Sequence, residues 1–192
     1  MPTRATRKKS PASKRKTSAV RRSTDAISLL KADHRQVEQW FSQFEKARED
    51  SRKSDLAGKI CQALTVHTQI EEEIFYPAFI AATGDDDTHH EAIVEHAGAK
   101  DLIRQIEATT PSDEYYDAKV KVLSEMIKHH VKEEEQRGGM FAEAKQSEMD
   151  LRALGEQLLE RKTELMQATP RKGSKAGQRK TVSQRFSLSR AV

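Results

Sequence analysis

Residues 67–79 read HTQIEEEIFYPAF, and residues 129–141 read HHVKEEEQRGGMF. In the first stretch His67 and Glu71 lie four apart, one helical turn, so both side chains leave the same helix face into the same small volume. In the second, His130 and Glu134 repeat the spacing, and His129 and Glu133 offer it one residue earlier. The His130 register is preferred because Leu123 and Ile127 continue its stripe, against Val122 and Met126 for the other. Apolar residues around each pair recur at intervals of three and four, which turns both pairs toward a helical core.

The same periodicity extends outward in both directions. A first helix, capped by Ser23 or Thr24, carries the stripe Ile27, Leu30, His34, Val37, Phe41 and Phe44. A second runs from about Ser54 to Ala82 with Leu56, Ile60, Ala63, His67, Glu71, Ile74 and Ala78 on one face, and Pro77 is expected to kink it near its end. A third, from about Asp87 to Thr109, aligns His89, Ala92, His96, Ala99, Ile103 and Ile106. The fourth, from about Ser112 to Lys145, aligns Val120, Leu123, Ile127, His130 and Glu134, with Gly138 and Gly139 loosening its last turns. A fifth, Asp150 to Met166, has Leu151, Leu154, Leu158 and Leu165 on one side. No period-two pattern competes, and the connections are short. The expectation is an all-α, up-down-up-down four-helix bundle with an extra C-terminal helix that packs across it or mediates self-association.

Of the 192 residues 35% are hydrophobic and 33% charged, with a mean hydropathy of −0.81, too apolar-poor to build a core along the whole chain. Charge shows where the core stops. Residues 1–22 hold nine Lys and Arg and no acid, and residues 169–192 hold seven and no acid. The segment between carries all 30 acidic residues against 18 basic ones. The expected organisation is a disordered basic arm at 1–22, a bundle at 23–146, a C-terminal helix at 147–168 and a disordered basic tail at 169–192. Such arms suit a non-specific grip on nucleic acid or on an anionic membrane surface, through release of counterions from phosphates. Aromatic interleaving is limited to Phe186, and no base-reading motif is visible, so solubilising tails are the plain alternative. No stretch approaches the roughly 18 apolar residues of a transmembrane segment, and the first thirty residues lack a secretory apolar region. A single cysteine, Cys61, excludes an internal disulfide framework and a Cys-based zinc cluster. The expected location is cytoplasmic.

A bundle core favours Leu and Ile, so His34, His67, Glu71, His96, His130 and Glu134 on inward stripes are costly unless something coordinates them. A metal does so. Each helix then offers at least one ligand at similar depth, and six N and O donors exceed the four that tetrahedral zinc takes. Two carboxylates among imidazoles suit a bridged pair of iron or manganese ions. A lone HxxxE carries little weight, since His34 and Glu38 also form one with Glu38 on the surface.

With DHRQVEQWF around His34, HTQIEEEIFYPAF, EHAGAKDLI around His96 and HHVKEEEQRGGMF, the stretch from Leu29 to about Lys145 resembles a hemerythrin-type (HHE, cation-binding) domain. The resemblance implies a four-helix bundle enclosing two non-haem Fe ions, carboxylate-bridged, with iron chosen over manganese. It makes His34, His67, His96 and His130 the terminal metal ligands and Glu71 and Glu134 the bridges, and it supports the His130 register. The oxygen-carrying members have a further His one turn before the third-helix ligand, where this chain has Ala92. His89, seven residues from His96 and about 10.5 Å along a helix axis, is too far to replace it; His90, Glu91 and Glu95 point off the stripe. The fourth helix also carries Gly138, Gly139 and Ala142 where relatives often have a tighter acidic segment followed by Pro.

The function this implies is binding or sensing of oxygen, reactive oxygen species, nitric oxide or iron through a small diatomic or peroxide ligand, rather than turnover. Weak catalase or peroxidase activity needs a proton donor, for which Tyr76 is the candidate. The alternative is a nucleic-acid- or membrane-associated protein that binds through its arms, with the metal centre as a structural or regulatory element.

Overall fold

Asp25, rather than Ser23 or Thr24, starts the first helix. Its carboxylate accepts from the Ser28 amide at 2.9 Å and from the Ser28 hydroxyl at 2.7 Å, satisfying an amide that has no partner within the helix. In the computed structural model, which describes residues 24–168, this helix is α1 (Ala26–Lys46). The basic arms expected at 1–22 and 169–192 lie outside the described residues.

The helix α2 (Asp50–Ile70) begins one turn earlier than Ser54, with Asp50 complementing the positive end of its dipole. It does not simply kink at Pro77. A π-helical turn, Glu71–Phe75, follows it directly, with the Tyr76 amide bonding five residues back to the Glu71 carbonyl. Then α3 (Tyr76–Thr83) takes over, with Pro77, which has no N–H to donate, in its first turn. The wider turn absorbs the change of phase that the proline demands. Gly84 ends α3 in the left-handed conformation, at φ 71°.

Asp85 caps α4 (Asp86–Glu107) through the Thr88 amide, and α5 (Tyr116–Glu135) begins after turns at 111–115. The fourth helix is not continuous to Lys145. It ends at Glu135, the chain turns through Gly138 at φ 80°, and α6 (Met140–Gln146) sets off separately. A Cβ at Gly139 would stand 2.0 Å from the Glu133 carbonyl, so the reversal needs a residue without one.

Within the bundle, α1 packs on α2 and α5, and α4 packs on the same two. Two apolar clusters fill it. One holds Phe41, Phe44, Leu56, Ile60, Leu64, Ile103, Leu123 and Ile127, with Trp40 half-buried against it. The other holds Ile27, Leu30, Ile70, Phe75, Phe79, Met140, Phe141 and Leu158. Along α1, α2 and α4 the histidines fall between residues of the two clusters, so the polar level is sealed by apolar layers on both sides.

The C-terminal helix α7 (Leu151–Ala168) packs across α1 and α2, burying Leu158 and half-burying Leu151, Leu154 and Leu165. Gly155 makes this approach: a Cβ there would lie 2.3 Å from the Thr24 carbonyl and 2.8 Å from the Ala26 amide nitrogen, both backbone. Gly155→Ala is therefore expected to destabilise the protein by about 1–3 kcal/mol although alanine favours helices, read as a lowered denaturant midpoint.

Candidate metal centre

His34 on α1, His67 on α2, His96 on α4 and His130 on α5 are all buried, together with Glu71 from the π turn and Glu134 from α5. Their ε nitrogens converge in two pairs. His34 Nε2 is 3.0 Å from His67 Nε2, and His96 Nε2 is 3.2 Å from His130 Nε2. The carboxylates span the pairs: Glu71 Oε2 lies 3.2 Å from His67 Nε2 and 3.5 Å from His96 Nε2, while Glu134 lies 3.4 Å from His34 Nε2 and 3.6 Å from His130 Nε2. Two groups able to hold a cation, His34 with His67 and Glu71, and His96 with His130 and Glu71, thus share one carboxylate.

Behind each imidazole stands another acid, always from the next helix around the bundle. His34 Nδ1 faces Glu135 at 2.8 Å, His96 Nδ1 faces Glu72 at 2.9 Å, and His130 Nδ1 faces Glu95 at 2.7 Å. His67 Nδ1 faces Asp33 at 3.6 Å, an ion-pair distance too long for a hydrogen bond. A carboxylate at Nδ1 draws the ring proton there and leaves the Nε2 lone pair pointing inward. Two such lone pairs about 3 Å apart repel each other unless a positive charge lies within reach.

Charge and burial lead to the same requirement. Both Glu71 oxygens and Glu134 Oε2 have no hydrogen-bond partner, although they are buried. Burial, then repulsion from Glu134, pushes the Glu71 carboxyl well above the usual range, and burial also pushes Glu134 up. Burial, then the neighbouring imidazoles, depresses His34 and His96 to about 2, which keeps both in the neutral, ligating form. For His130 burial is outweighed by the Glu95 hydrogen bond and the Glu134 charge, and the ring moves up. Imidazoles beside carboxylates that protein groups do not satisfy form a donor set that fits a borderline or hard divalent cation.

Tyr76 is buried with its hydroxyl 3.2 Å from Glu134 Oε1, to which it donates, and 3.3 Å from His96 Nε2. Burial, then the Glu71 and Glu134 charges, raises this phenol well above its ordinary value, so it remains a proton donor. Phe141 stacks on the His34 ring at 5.8 Å, an effect of the break before α6. A void of about 10 Å³, roughly one water-sized molecule, opens between the four histidines and Val37, Leu64, Ile127 and Val131.

All six residues singled out from the sequence come together here. Of the two registers on α5, the structure turns His130 and Glu134 inward and leaves His129 63% exposed. Glu38 pairs with Arg35 on the surface, and Ala92 is buried in the apolar cluster. His89 lies beside Tyr76 with ring centres 5.7 Å apart, outside the group of four. Glu95 does not point idly off its stripe, since it holds His130. The other acids behind the histidines, Asp33, Glu72 and Glu135, were also missed. A signal existed: each of the four is the immediate sequence neighbour of an inward donor, about 100° around the helix and so directed at the next helix.

Comparison with known proteins bears on the family and the fold. Residues 25–139 match the model of the hemerythrin HHE cation binding domain. A crystal structure of a hemerythrin HHE cation binding domain-containing protein from Mycobacterium kansasii superposes with a TM-score of 0.61 at 25% identity, covering 73% of this chain and 86% of that one. A protein named DNA nickase from Nostoc sp. strain PCC 7120 is 30% identical over 107 residues, which is 56% of this chain and 30% of the relative's length.

A divalent cation is expected to stabilise the wild-type chain by about 2.7 kcal/mol at a hundredfold excess over its dissociation constant. Glu71→Gln should remove most of that gain while leaving the cation-free melting temperature equal or higher, because it discharges a buried group that lacks a partner. Thermal melts with and without chelator measure both.

Proposed function

The chain belongs to the hemerythrin HHE cation-binding domain family, and on that premise we propose that it holds two iron ions in a carboxylate-bridged non-haem centre and binds or senses a small ligand there. The ligand class is oxygen, a reactive oxygen species, nitric oxide or iron itself. The observation that carries the reading is the pair of three-donor groups that share Glu71. His34, His67, His96 and His130 would supply nitrogen, and Glu71 and Glu134 the bridging oxygens. When bound, iron supplies an open coordination position and one-electron exchange for a diatomic or peroxide ligand.

The chain's own residues do the rest. Asp33, Glu72, Glu95 and Glu135 orient the rings and raise their basicity. Val37, Leu64 and Ile127 give the adjoining void an apolar wall. Tyr76 holds a proton 3.2 Å from Glu134 and within reach of His96. Ala92 stands where the oxygen-carrying relatives have a further His, which leaves the α4 side one donor short and favours sensing or iron handling over reversible carriage. We read the protein as cytoplasmic; no helix among the described residues is long and apolar enough to cross a membrane.

Aerobically purified protein should contain two irons per chain and show a visible charge-transfer band that shifts with azide, and Glu71→Ala should lose both. A folded wild-type chain without metal would overturn this reading.

The basic arms and the likeness to a protein named DNA nickase favour a second role, electrostatic attachment to nucleic acid. Duplex affinity measured by fluorescence anisotropy should fall steeply with salt and drop by about 10³-fold or more when residues 1–22 and 169–192 are removed. Equal affinity of the trimmed chain would rule the role out.

A further inference from the structure

Three of the four carboxylates behind the histidines are themselves backed by a permanent cation. Asp33 pairs with Lys162, Glu72 with Lys100 at 2.6 Å, and Glu135 with Lys31 at 3.1 Å and Arg35 at 2.6 Å. Among the described residues Glu95 is the exception. Where the others meet an ammonium or guanidinium, it meets His129 at 3.3 Å, and His129 in turn lies 3.1 Å from Glu133. That corner therefore gathers two carboxylates and an imidazole at a place where the rest of the ring has a positive charge.

We propose that Glu95, His129 and Glu133 form a second, outer site for a divalent cation of the zinc class, distinct from the buried centre. The three ligating atoms lie within 4.8 Å of one another. Donors around one ion with bonds of 2.0 to 2.2 Å stand roughly 3.0–3.5 Å apart, which the two distances from His129 already match. The geometry is built from two helices: His129 and Glu133 are one turn apart on α5, and Glu95 reaches across from α4. The site opens to solvent, so an ion held by three protein donors keeps exchangeable positions and binds reversibly.

Its position gives it a consequence. One Glu95 oxygen faces the outer site while the other accepts from His130 Nδ1 at 2.7 Å. An outer ion competes for the electron density that Glu95 lends to His130, so a single carboxylate and a single imidazole separate the two sites. The same corner without a cation is simply His129 held between two acids, and Zn2+ titration separates the two states.

Zn2+ is titrated by calorimetry into the full-length chain as purified, in parallel with His129→Ala, Glu133→Gln and, as a control, the exposed His90→Ala. All three substitutions leave the six buried donors in place, so the number of ions the inward histidines can hold is the same in all four proteins, whichever metal they hold. Wild type and His90→Ala should bind one more Zn2+ per chain than the other two variants, or bind it at least about tenfold more tightly. Equal uptake by all four proteins, or a loss confined to His90→Ala, would overturn the outer site. So would the lack of any uptake by wild type that His129→Ala abolishes.

Discussion

A closed ring of acid-to-imidazole contacts fixes the middle of this protein. Asp33 on α1 serves His67 on α2, Glu72 at the end of α2 serves His96 on α4, Glu95 on α4 serves His130 on α5, and Glu135 on α5 serves His34 back on α1. Each helix gives a carboxylate to one neighbour and receives one from the other. The ring sets the rotation of all four helices at one level, and it aims four nitrogen lone pairs at the same small volume. Within that volume Glu71 and Glu134 are fully enclosed and lack protein partners for most of their oxygens. Enclosing an unpaired carboxylate costs several kcal/mol, a large share of a typical domain's net stability. A cation that neutralises both carboxylates and engages the imidazoles removes that cost, so folding and cation binding favour the same conformation.

Departures from regular helix occur beside this level. The π turn at Glu71–Phe75 shifts the helix phase after Glu71 and brings Tyr76 round to the same cluster, with its hydroxyl against Glu134 and His96. The break after Glu135 lets α6 fold back so that Phe141 covers His34. Irregular turns of this kind carry local cost and persist where surrounding packing determines them. Here two apolar clusters enclose the polar level, and the resulting low dielectric strengthens each contact within the ring.

Outside the ring the charges are tiered. Lysines and an arginine back three of the outer carboxylates, and one of them, Lys162, comes from α7. The C-terminal helix thus does more than cover apolar surface. Its neighbour Arg161 pairs with Glu73 within the π turn, so α7 holds the segment that carries Glu71 from outside.

Sequence alone determined which face of each helix points inward. The three-and-four spacing of apolar residues is a property of a single helix, and it placed His34, His67, His96, His130, Glu71 and Glu134 without knowledge of any partner. It also favoured the His130 register on α5, because Leu123 and Ile127 can share a face with His130 but not with His129. Only the tertiary structure decided which acid holds which imidazole, since His34 and Glu135 lie 101 positions apart and periodicity within one helix carries no information about the next. The same limit hid the break at Gly138 and Gly139, which the sequence marked only as a weak point. It likewise hid the π turn, which widens the helix just ahead of Pro77. Pairings between helices are set by crossing angle and depth, and those exist only once the whole bundle has closed.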